Sequence, residues 1–286
     1  MRYEAPTSLD AAVSLLAGAD GQAKIMAGGT DVLVLIHSDV IEPELVVDIK
    51  NIPEVTQISE SGGAYTVGAS VPAAVLCEHE GFCSTWPGVI EGLSLIGSTQ
   101  IQGRATLAGN LCNASPAADS VPAVIAAGAI ANIVGPNGNR EAAVEEIVTG
   151  PGKTSLANGE IIVSFSFPAK PAHSGDCYLR LTPRTEMDIA VVGAGVNLTL
   201  DDGGTCTAAR VSLGAVAPTP LLVADAAAAL VSTKVDDAAL DAMGKACSAA
   251  CNPISDKRGT KEYRIKTAAV MARRAAEKAL ERAKAN

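Results

Sequence analysis

The chain contains 286 residues, with 48% hydrophobic residues, 3% aromatic residues and 27 glycines. This length suits one large domain or two modest ones, and the composition predicts a core of aliphatic side chains. The formal net charge of −9 argues against nucleic acid and anionic membrane surfaces as partners. No stretch reaches the roughly 18 apolar residues of a membrane span. The first residues also lack a charged segment followed by an apolar one, so we expect a cytoplasmic protein.

The first 55 residues or so have the pattern of a small α/β lobe. Thr7 and Asp10 have the spacing of a capping box, and apolar residues then recur at helical spacing until Gly18. Residues 23–27 and 45–48 predict two short buried strands. We therefore expect one helix and two strands in this lobe.

A second lobe is predicted from about residue 56 to residue 170. It opens with a hairpin, because two strand-like runs flank Ser61-Gly62-Gly63. The predicted elements are the strands 55–59 and 65–68, a helix at 89–96, a helix from Val121, and the strands 131–134 and 161–167.

Pro168, Pro171 and Gly175 interrupt the pattern and predict a linker. Residues 189–200 and 206–216 then predict two strands joined by an Asp-Asp-Gly-Gly turn. Helices are predicted within the alanine-rich residues 222–250 and over 262–285. A sheet followed by helices indicates an α+β domain, so we divide the chain into domains at 1–170 and 176–286.

Two turns of small residues are the candidate binding features. One is Ala27-Gly28-Gly29-Thr30-Asp31, directly after an apolar run, and the other begins the stretch TLAGNLCNASPAADSVP at 106–122. Free backbone N–H groups near a helix start suit phosphates, and Asp119 can accept hydrogen bonds from sugar hydroxyls. Two such turns suggest a ligand with two phosphates. Each turn also fits a plain connection between a strand and a helix, and Asp119 also fits a helix N-cap.

Other candidate motifs have weaker support. Residues 150–154 (GPGKT) lack the first glycine of a P-loop, and residues 193–198 (GAGVNL) lack the third glycine of a dinucleotide fingerprint. The seven cysteines are scattered without a Cys-x-x-Cys motif, which argues against an iron–sulfur cluster in this chain. Cys247 and Cys251 are interpreted as packing residues. The three histidines are isolated, so neither a metal site nor a catalytic triad is predicted.

Five segments together resemble a known family. They are AGGTDVL at 27–33, TLAGN at 106–110, NASPAADSVP at 113–122, RTEMDIA at 184–190 and SDKRGTKEYR at 255–264. In this order they resemble the FAD-binding medium subunit of the molybdenum hydroxylases. This family includes the carbon monoxide dehydrogenase medium chains and the flavin subunit of xanthine dehydrogenase.

The resemblance implies a fold. It is an α+β fold with a two-lobed FAD-binding domain of the PCMH/vanillyl-alcohol-oxidase type, followed by a C-terminal domain of a three-stranded sheet plus helices.

The resemblance also implies a binding site for FAD. The two glycine turns would bind the pyrophosphate and Asp119 the ribityl chain, while Ile162 would offer a backbone contact to the adenine or its ribose. Arg180 would lie near the flavin, and Ile96 and Ile189 would flank its ring. The complete set of expected cofactor-binding residues is Met26, Ala27, Gly28, Gly29, Thr30, Asp31, Val32, Leu33, Ile96, Thr106, Leu107, Ala108, Gly109, Asn110, Asp119, Ile162, Arg180 and Ile189. No catalytic residue and no metal ligand is expected in this chain.

The implied function is electron transfer in an oxidoreductase. A large partner subunit would carry molybdopterin and a small partner subunit the [2Fe–2S] clusters, and the FAD of this chain would pass electrons to an external acceptor. A dimer of heterotrimers is the expected assembly. The alternatives are a self-sufficient FAD-dependent oxidase of the same superfamily, a scaffold that has lost FAD, and a binder of another nucleotide.

Three residues depart from the family pattern. Ala108 stands where most members have the first glycine of Thr-x-Gly-Gly-Asn, and it would cost on the order of 1 kcal/mol if that position required a positive φ. Arg180 replaces a frequent lysine, which changes the hydrogen-bond geometry. Ile189 replaces a tyrosine of some relatives.

Overall fold

The computed structural model describes residues 1–19, 21–185 and 187–286. Its first lobe contains β1 (Arg2–Glu4), α1 (Leu9–Ala17), β2 (Ala23–Met26), α2 (Val32–His37) and β3 (Leu45–Asp48). The sheet is parallel in the order β1-β3-β2. β3 is central and buried along its whole length, as expected for an apolar strand covered on both faces.

The sequence predicted this lobe with three errors, and the first is that the helix α2 was not predicted. β1 was not predicted, because its three residues are exposed and show no apolar pattern. The capping box at Thr7 is also wrong, since Ser8 begins α1 and its Oγ accepts a hydrogen bond from the Ala11 N–H at 3.3 Å. The predicted α1, β2 and β3 are otherwise confirmed.

The second lobe is built on an antiparallel sheet. In chain order its elements are β4 (Ile58–Ser61), β5 (Ala64–Gly68), α3 (Ala73–Cys77), α4 (Glu80–Thr85), α5 (Pro87–Leu93), α6 (Thr99–Gln102), α7 (Leu107–Cys112), α8 (Ser120–Ala126), β6 (Ile130–Gly135), β7 (Gly138–Ala143), β8 (Val148–Gly150), β9 (Lys153–Thr154) and β10 (Ile161–Phe167). The main sheet has the order β4-β5-β10-β6-β7, and β8 pairs with β9. One hydrophobic core runs from Ala12 to Phe167 and therefore includes both lobes.

The C-terminal part is a sheet covered by helices. It contains β11 (Ser174–Leu181), β12 (Val192–Leu200), β13 (Cys206–Gly214), β14 (Leu221–Leu222), α9 (Ala224–Leu230), α10 (Asp237–Ala250) and α11 (Lys261–Ala285). The strands follow one another in chain order. The long strands β11 to β13 account for the expected three strands, and β14 adds a two-residue fourth. A second core joins this sheet to the helices.

Small residues let α11 lie very close to the sheet. Its buried face consists largely of alanines, and a Cβ on Gly175 of β11 would come within 2.1 Å of the Ala279 carbonyl oxygen. This close approach explains how a chain with few aromatic residues fills its core. The linker prediction is therefore wrong at Gly175, which lies inside β11 and must be glycine because the helix backbone is so close.

The contact between α5 and β11 fixes the C-terminal part against the second lobe. The Gly88 N–H donates to Asp176 Oδ2 at 2.8 Å, and the Tyr178 N–H donates to Glu91 Oε2 at 2.9 Å. Arg282 of α11 adds a hydrogen bond of 2.6 Å to Glu91 Oε1. These bonds determine where the next residues of β11, including Arg180, meet the second lobe.

The two glycine-containing motifs at 150–154 and 193–198 do not have the geometry of a phosphate-binding loop. Residues 150–154 lie in the β8–β9 hairpin, which no helix follows directly, and residues 193–198 lie within β12. Their rejection from sequence is confirmed. Among the helices that the structure describes, none is long and apolar enough to cross a membrane.

Candidate cofactor site

The first glycine turn connects β2 to α2. Gly29 has φ +81°, in the left-handed region that favours glycine. Gly28 is required for a different reason, since a Cβ there would lie 1.9 Å from the Arg104 carbonyl oxygen. The two adjacent glycines therefore serve backbone conformation and close packing against the second turn, respectively.

The second turn begins α7. The Oγ1 of Thr106 accepts a hydrogen bond from the Gly109 N–H at 2.9 Å, which makes Thr106 the N-cap. Ala108 lies in the first turn of α7 without a positive φ, and its side chain is buried. Alanine thus carries no backbone strain at this position, and the cost considered from sequence does not arise.

Both turns present backbone N–H groups that have no protein acceptor. Within the described residues, none of the N–H groups of residues 28–32 donates to a protein atom, and the same is true of Thr106, Leu107 and Ala108. Because Gly28 touches Arg104, the two rows of donors lie close together. Rows of free N–H groups at helix starts attract phosphate oxygens, so the residues present fit a pyrophosphate.

Asp119 pairs with Arg180. The Nη1 of Arg180 donates to Asp119 Oδ2 at 2.9 Å, and Tyr178 donates its hydroxyl to Asp119 Oδ1 at 3.4 Å. Burial raises the pKa of Asp119 to about 6, while the charge and hydrogen bond of Arg180 and the bond of Tyr178 lower it in part. The carboxylate has further acceptor positions for hydroxyl groups.

The alternative role of Asp119 as a helix cap is wrong. Asp119 precedes α8, but its side chain makes no capping hydrogen bond. Asn110 instead accepts hydrogen bonds through Oδ1 from the N–H of Ser120 at 3.2 Å and from its hydroxyl at 2.7 Å. The predicted site residue Asn110 thus stabilises the start of α8, which leaves Asp119 free to face Arg180.

Arg180 also contacts the two segments that carry the predicted ring-flanking residues. Its Nη1 donates to the Leu95 carbonyl at 3.1 Å and to the Asp188 carbonyl at 3.4 Å. These carbonyls directly precede Ile96, which is partly buried, and Ile189, which is 51% exposed. One buried guanidinium therefore brings the Ile96 and Ile189 segments together beside Asp119.

Ile162 lies near the start of β10 at a bulge. The register of β10 against β6 shifts between Ile162 and Ser164, and pairing with β5 begins only at Ser164. The ladder between β10 and β5 therefore ends just before Ile162, since the Ala69 N–H still donates to the Val163 carbonyl at 2.9 Å. The Ile162 side chain itself is buried, so any contact with a ligand would be through the backbone.

The remaining predicted residues lie around the first turn. Met26 is buried at the end of β2, and Ala27 and Thr30 are partly buried. Val32 and Leu33 begin α2, where the Leu33 side chain is 51% exposed. Partial burial raises the pKa of Asp31.

Sequence reasoning missed Tyr178 and Asp188. Tyr178 and Arg180 are two residues apart in β11 and so point to the same face. The alternation was a usable signal, but β11 was not predicted as a strand. In the described residues, no group of three or more His, Cys, Asp or Glu side chains is arranged to hold a metal ion.

Comparison with known proteins identifies the family. Residues 1–170 match the FAD binding domain in molybdopterin dehydrogenase, and residues 178–279 match the CO dehydrogenase flavoprotein C-terminal domain. The carbon monoxide dehydrogenase medium chain of Afipia carboxidovorans is 34% identical over 99% of this chain and 97% of its own length. The xanthine dehydrogenase FAD-binding subunit of Escherichia coli O157:H7 is 32% identical over 92% of this chain and 90% of its own.

Solved structures agree with the sequence matches. A crystal structure of Cu,Mo-CO dehydrogenase in a cyanide-inactivated form superimposes with a TM-score of 0.94 at 33% identity, covering 99% of this chain and 98% of the other. Quinoline 2-oxidoreductase from Pseudomonas putida 86 has a TM-score of 0.89 at 28% identity, covering 99% of this chain and 98% of the other. The chain therefore belongs to the family of FAD-binding subunits of the molybdenum hydroxylases, and it is the flavin-carrying, electron-transferring subunit of an oxidoreductase.

Proposed function

We propose that the FAD lies between the two N-terminal lobes, with its pyrophosphate on the two glycine turns. The turns are residues 26–33 and 106–110, and the free N–H groups of the first and second turn support this assignment. Backbone donors hold phosphate oxygens without needing a basic side chain. This proposal accounts for the lack of a lysine or arginine in either turn.

Asp119 and the backbone at Ile162 bind the two ends of the nucleotide in this proposal. Asp119 accepts hydrogen bonds from ribityl hydroxyls, and the backbone of Ile162, at the bulge of β10, contacts the adenine or its ribose. Ile96 and Ile189 flank the flavin ring. The observation that carries the proposal is the set of contacts made by Arg180, since one guanidinium joins Asp119 to the segments of both ring-flanking residues.

The bound FAD supplies a carrier that accepts electrons and passes them on. The residues of this chain bind and orient it, and Ile189, which flanks the ring, is itself 51% exposed. None of the proposed residues acts as a nucleophile or a general base. The turnover of an organic substrate then requires a partner chain.

We propose a complex with a large molybdopterin subunit and a small [2Fe–2S] subunit, doubled into a dimer of heterotrimers in the cytoplasm. The relatives named as a medium chain and as an FAD-binding subunit support a complex of several subunits. Within this chain we propose a division into an FAD-binding domain at 1–170 and a C-terminal domain at 176–286, supported by the two separate cores.

Purification of the chain with and without its co-purifying proteins tests the proposal. The chain alone should carry one noncovalent FAD that acid releases, and it should not oxidise an organic substrate. The intact complex should contain molybdenum and iron in addition. Turnover of an organic substrate by the chain alone would instead establish a self-sufficient oxidase, and a colourless folded chain that does not take up FAD would refute the cofactor site.

A further inference from the structure

The SDKRGTKEYR segment at 255–264 has no role in the proposed cofactor site, yet it folds against the loop that carries Ile189. The Nη1 of Arg264 donates to the Val191 carbonyl at 2.7 Å and to the Ala215 carbonyl at 3.1 Å, and its Nη2 pairs with Asp256 at 2.8 Å. Arg264 is only 3% exposed. The segment is therefore a fixed support beside the end of this loop.

Asp188 is the point at which the loop meets this support. Its Oδ1 accepts hydrogen bonds from the N–H of Ile189 at 2.8 Å and from Arg258 Nε at 3.1 Å. The Asp188 side chain is 7% exposed, although its neighbours in the loop lie at the surface. One carboxylate oxygen thus joins the backbone of the ring-flanking residue to a cation from the SDKRGTKEYR segment.

Polar contacts, rather than apolar packing, hold this loop in place. Met187 is 60% exposed and Ile189 is 51% exposed, so neither side chain is held by a core. Hydrogen bonds to Asp188 from Ile189, Arg258 and the Arg184 N–H lower the pKa of its carboxyl despite the opposing effect of burial. The carboxylate is therefore charged at neutral pH and remains an acceptor for Arg258.

We propose that Asp188 is a positioning residue that fixes Ile189 beside the flavin ring, and that Arg258 is the cation that holds Asp188 in place. Arg180 binds the Asp188 carbonyl from the cofactor side, while Arg258 binds its carboxylate from the outer side. The position of the ring-flanking residue is thus set by two arginines from different parts of the chain. This inference rests on the proposed function for the location of the ring, but not for the order of the loop.

The test compares Arg258→Ala and Arg258→Lys with Arg273→Ala in the full-length chain. Arg273 is a matched control because it also pairs with aspartates of the C-terminal part, but with Asp237 and Asp241, away from the loop. Limited trypsin cleavage after Arg184 measures the order of the loop with or without FAD. Iodide quenching of flavin fluorescence measures how far the ring is shielded, and acid release measures FAD content.

Loss of a partly exposed ion pair should open the loop about threefold more often, so trypsin should cleave Arg258→Ala about threefold faster than the wild type. Iodide quenching should increase in parallel, while FAD content stays at the wild-type level. Arg258→Lys should restore part of both effects, and Arg273→Ala should change neither. Asp188→Asn, which keeps the acceptor oxygen without the charge, provides a second variant if Arg258→Ala fails to fold.

The inference would be overturned if both Arg258→Ala and Asp188→Asn were cleaved at the same rate as the wild type and showed the same iodide quenching. Faster cleavage without any change in quenching would also overturn it, because the loop would then not shield the ring. A third outcome separates the two proposals. If the wild type binds no FAD, and trypsin still cleaves Arg258→Ala faster than the wild type, the proposed function is refuted but the support of the loop by Arg258 stands.

Discussion

The pH dependence of FAD affinity tests the role of Asp119 most directly. Burial raises the pKa of Asp119 to about 6, above its ordinary value, even though Arg180 and Tyr178 oppose the shift. Ribityl hydroxyls donate to the ionised carboxylate more strongly than to the protonated acid. FAD should therefore bind best above this pKa and progressively more weakly below it.

The size of the effect follows from the fraction of ionised Asp119. With a pKa of about 6, the carboxyl is roughly 90% ionised at pH 7 and roughly 10% ionised at pH 5. If only the ionised form binds well, the Kd for FAD rises about tenfold between these pH values. The stability of the apo protein should depend on pH in the opposite direction. A raised pKa contributes stability at low pH that is lost as the pH rises through about 6.

The assay titrates the apo chain with FAD at constant ionic strength and follows the quenching of FAD fluorescence from pH 5 to pH 8. Asp119→Asn is the control, because it keeps the shape and removes the titration. This variant should bind FAD about tenfold to a hundredfold more weakly at pH 7, as expected for the loss of a charged hydrogen bond. Its Kd should also vary much less with pH.

Asp31 provides a competing effect of opposite sign. Partial burial raises its pKa, and its protonation at low pH would reduce repulsion of the pyrophosphate, so Asp31→Asn should be measured in parallel. Our reasoning about Asp119 would be refuted if Asp119→Asn retained the full pH dependence of the wild type. It would equally be refuted if the Kd for FAD did not change between pH 5 and pH 8 in either the wild type or Asp31→Asn.

Three further experiments with substituted chains have distinct expected outcomes. Gly28→Ala should lose more FAD and lower the Tm further than Gly29→Ala. The Cβ of Gly28→Ala would meet the Arg104 carbonyl oxygen at 1.9 Å, whereas the positive φ at Gly29 costs alanine only on the order of 1 kcal/mol. Equal FAD content in the two variants would contradict this. Asn110→Ala should lower the free energy of unfolding of the apo chain by about 1 kcal/mol, measured by urea unfolding, because it loses the hydrogen bonds at the start of α8. Asp119→Ala should not lower it through loss of a helix cap. Arg180→Lys should weaken FAD binding and alter the circular dichroism of the flavin, since an ammonium on a more flexible stem does not hold the fixed position from which Nη1 reaches Asp119, Leu95 and Asp188. An unchanged flavin spectrum would show that Arg180 does not hold the ring walls.

The sequence predicted those parts of the fold that have a local signal. The apolar run at β3 and the strand β10 were predicted with the observed bounds, because each lies between clear turn residues. β1 escaped prediction because its exposed residues belong to a sheet formed with residues far along the chain. β11 escaped because Gly175 looked like a linker residue, and only the approach of α11 explains why a glycine is needed there.

The candidate site shows the same division between local and distant causes. Residue types and their order pointed to both turns and to Asp119, but not to what Asp119 contacts. Its pairing with Arg180 spans 61 residues of sequence separation, and its exclusion as a helix cap depends on the side chain of Asn110. Sequence reasoning could state the cost of Ala108 only for the case of a positive φ, because the backbone angle at that position cannot be read from one sequence.

The geometry of the site depends on both cores of the chain. The turns and Asp119 belong to the part with the first core, whereas Arg180 and Ile189 belong to the part with the second. β11 carries Arg180 to Asp119 because the Gly88 N–H binds Asp176 and Glu91 binds Tyr178 in the residues just before it. That strand can lie so close to the backbone of its supporting helix only because Gly175 has no side chain. The aliphatic, glycine-rich composition therefore does more than fill the core, since it sets the position of the arginine that completes the proposed cofactor site.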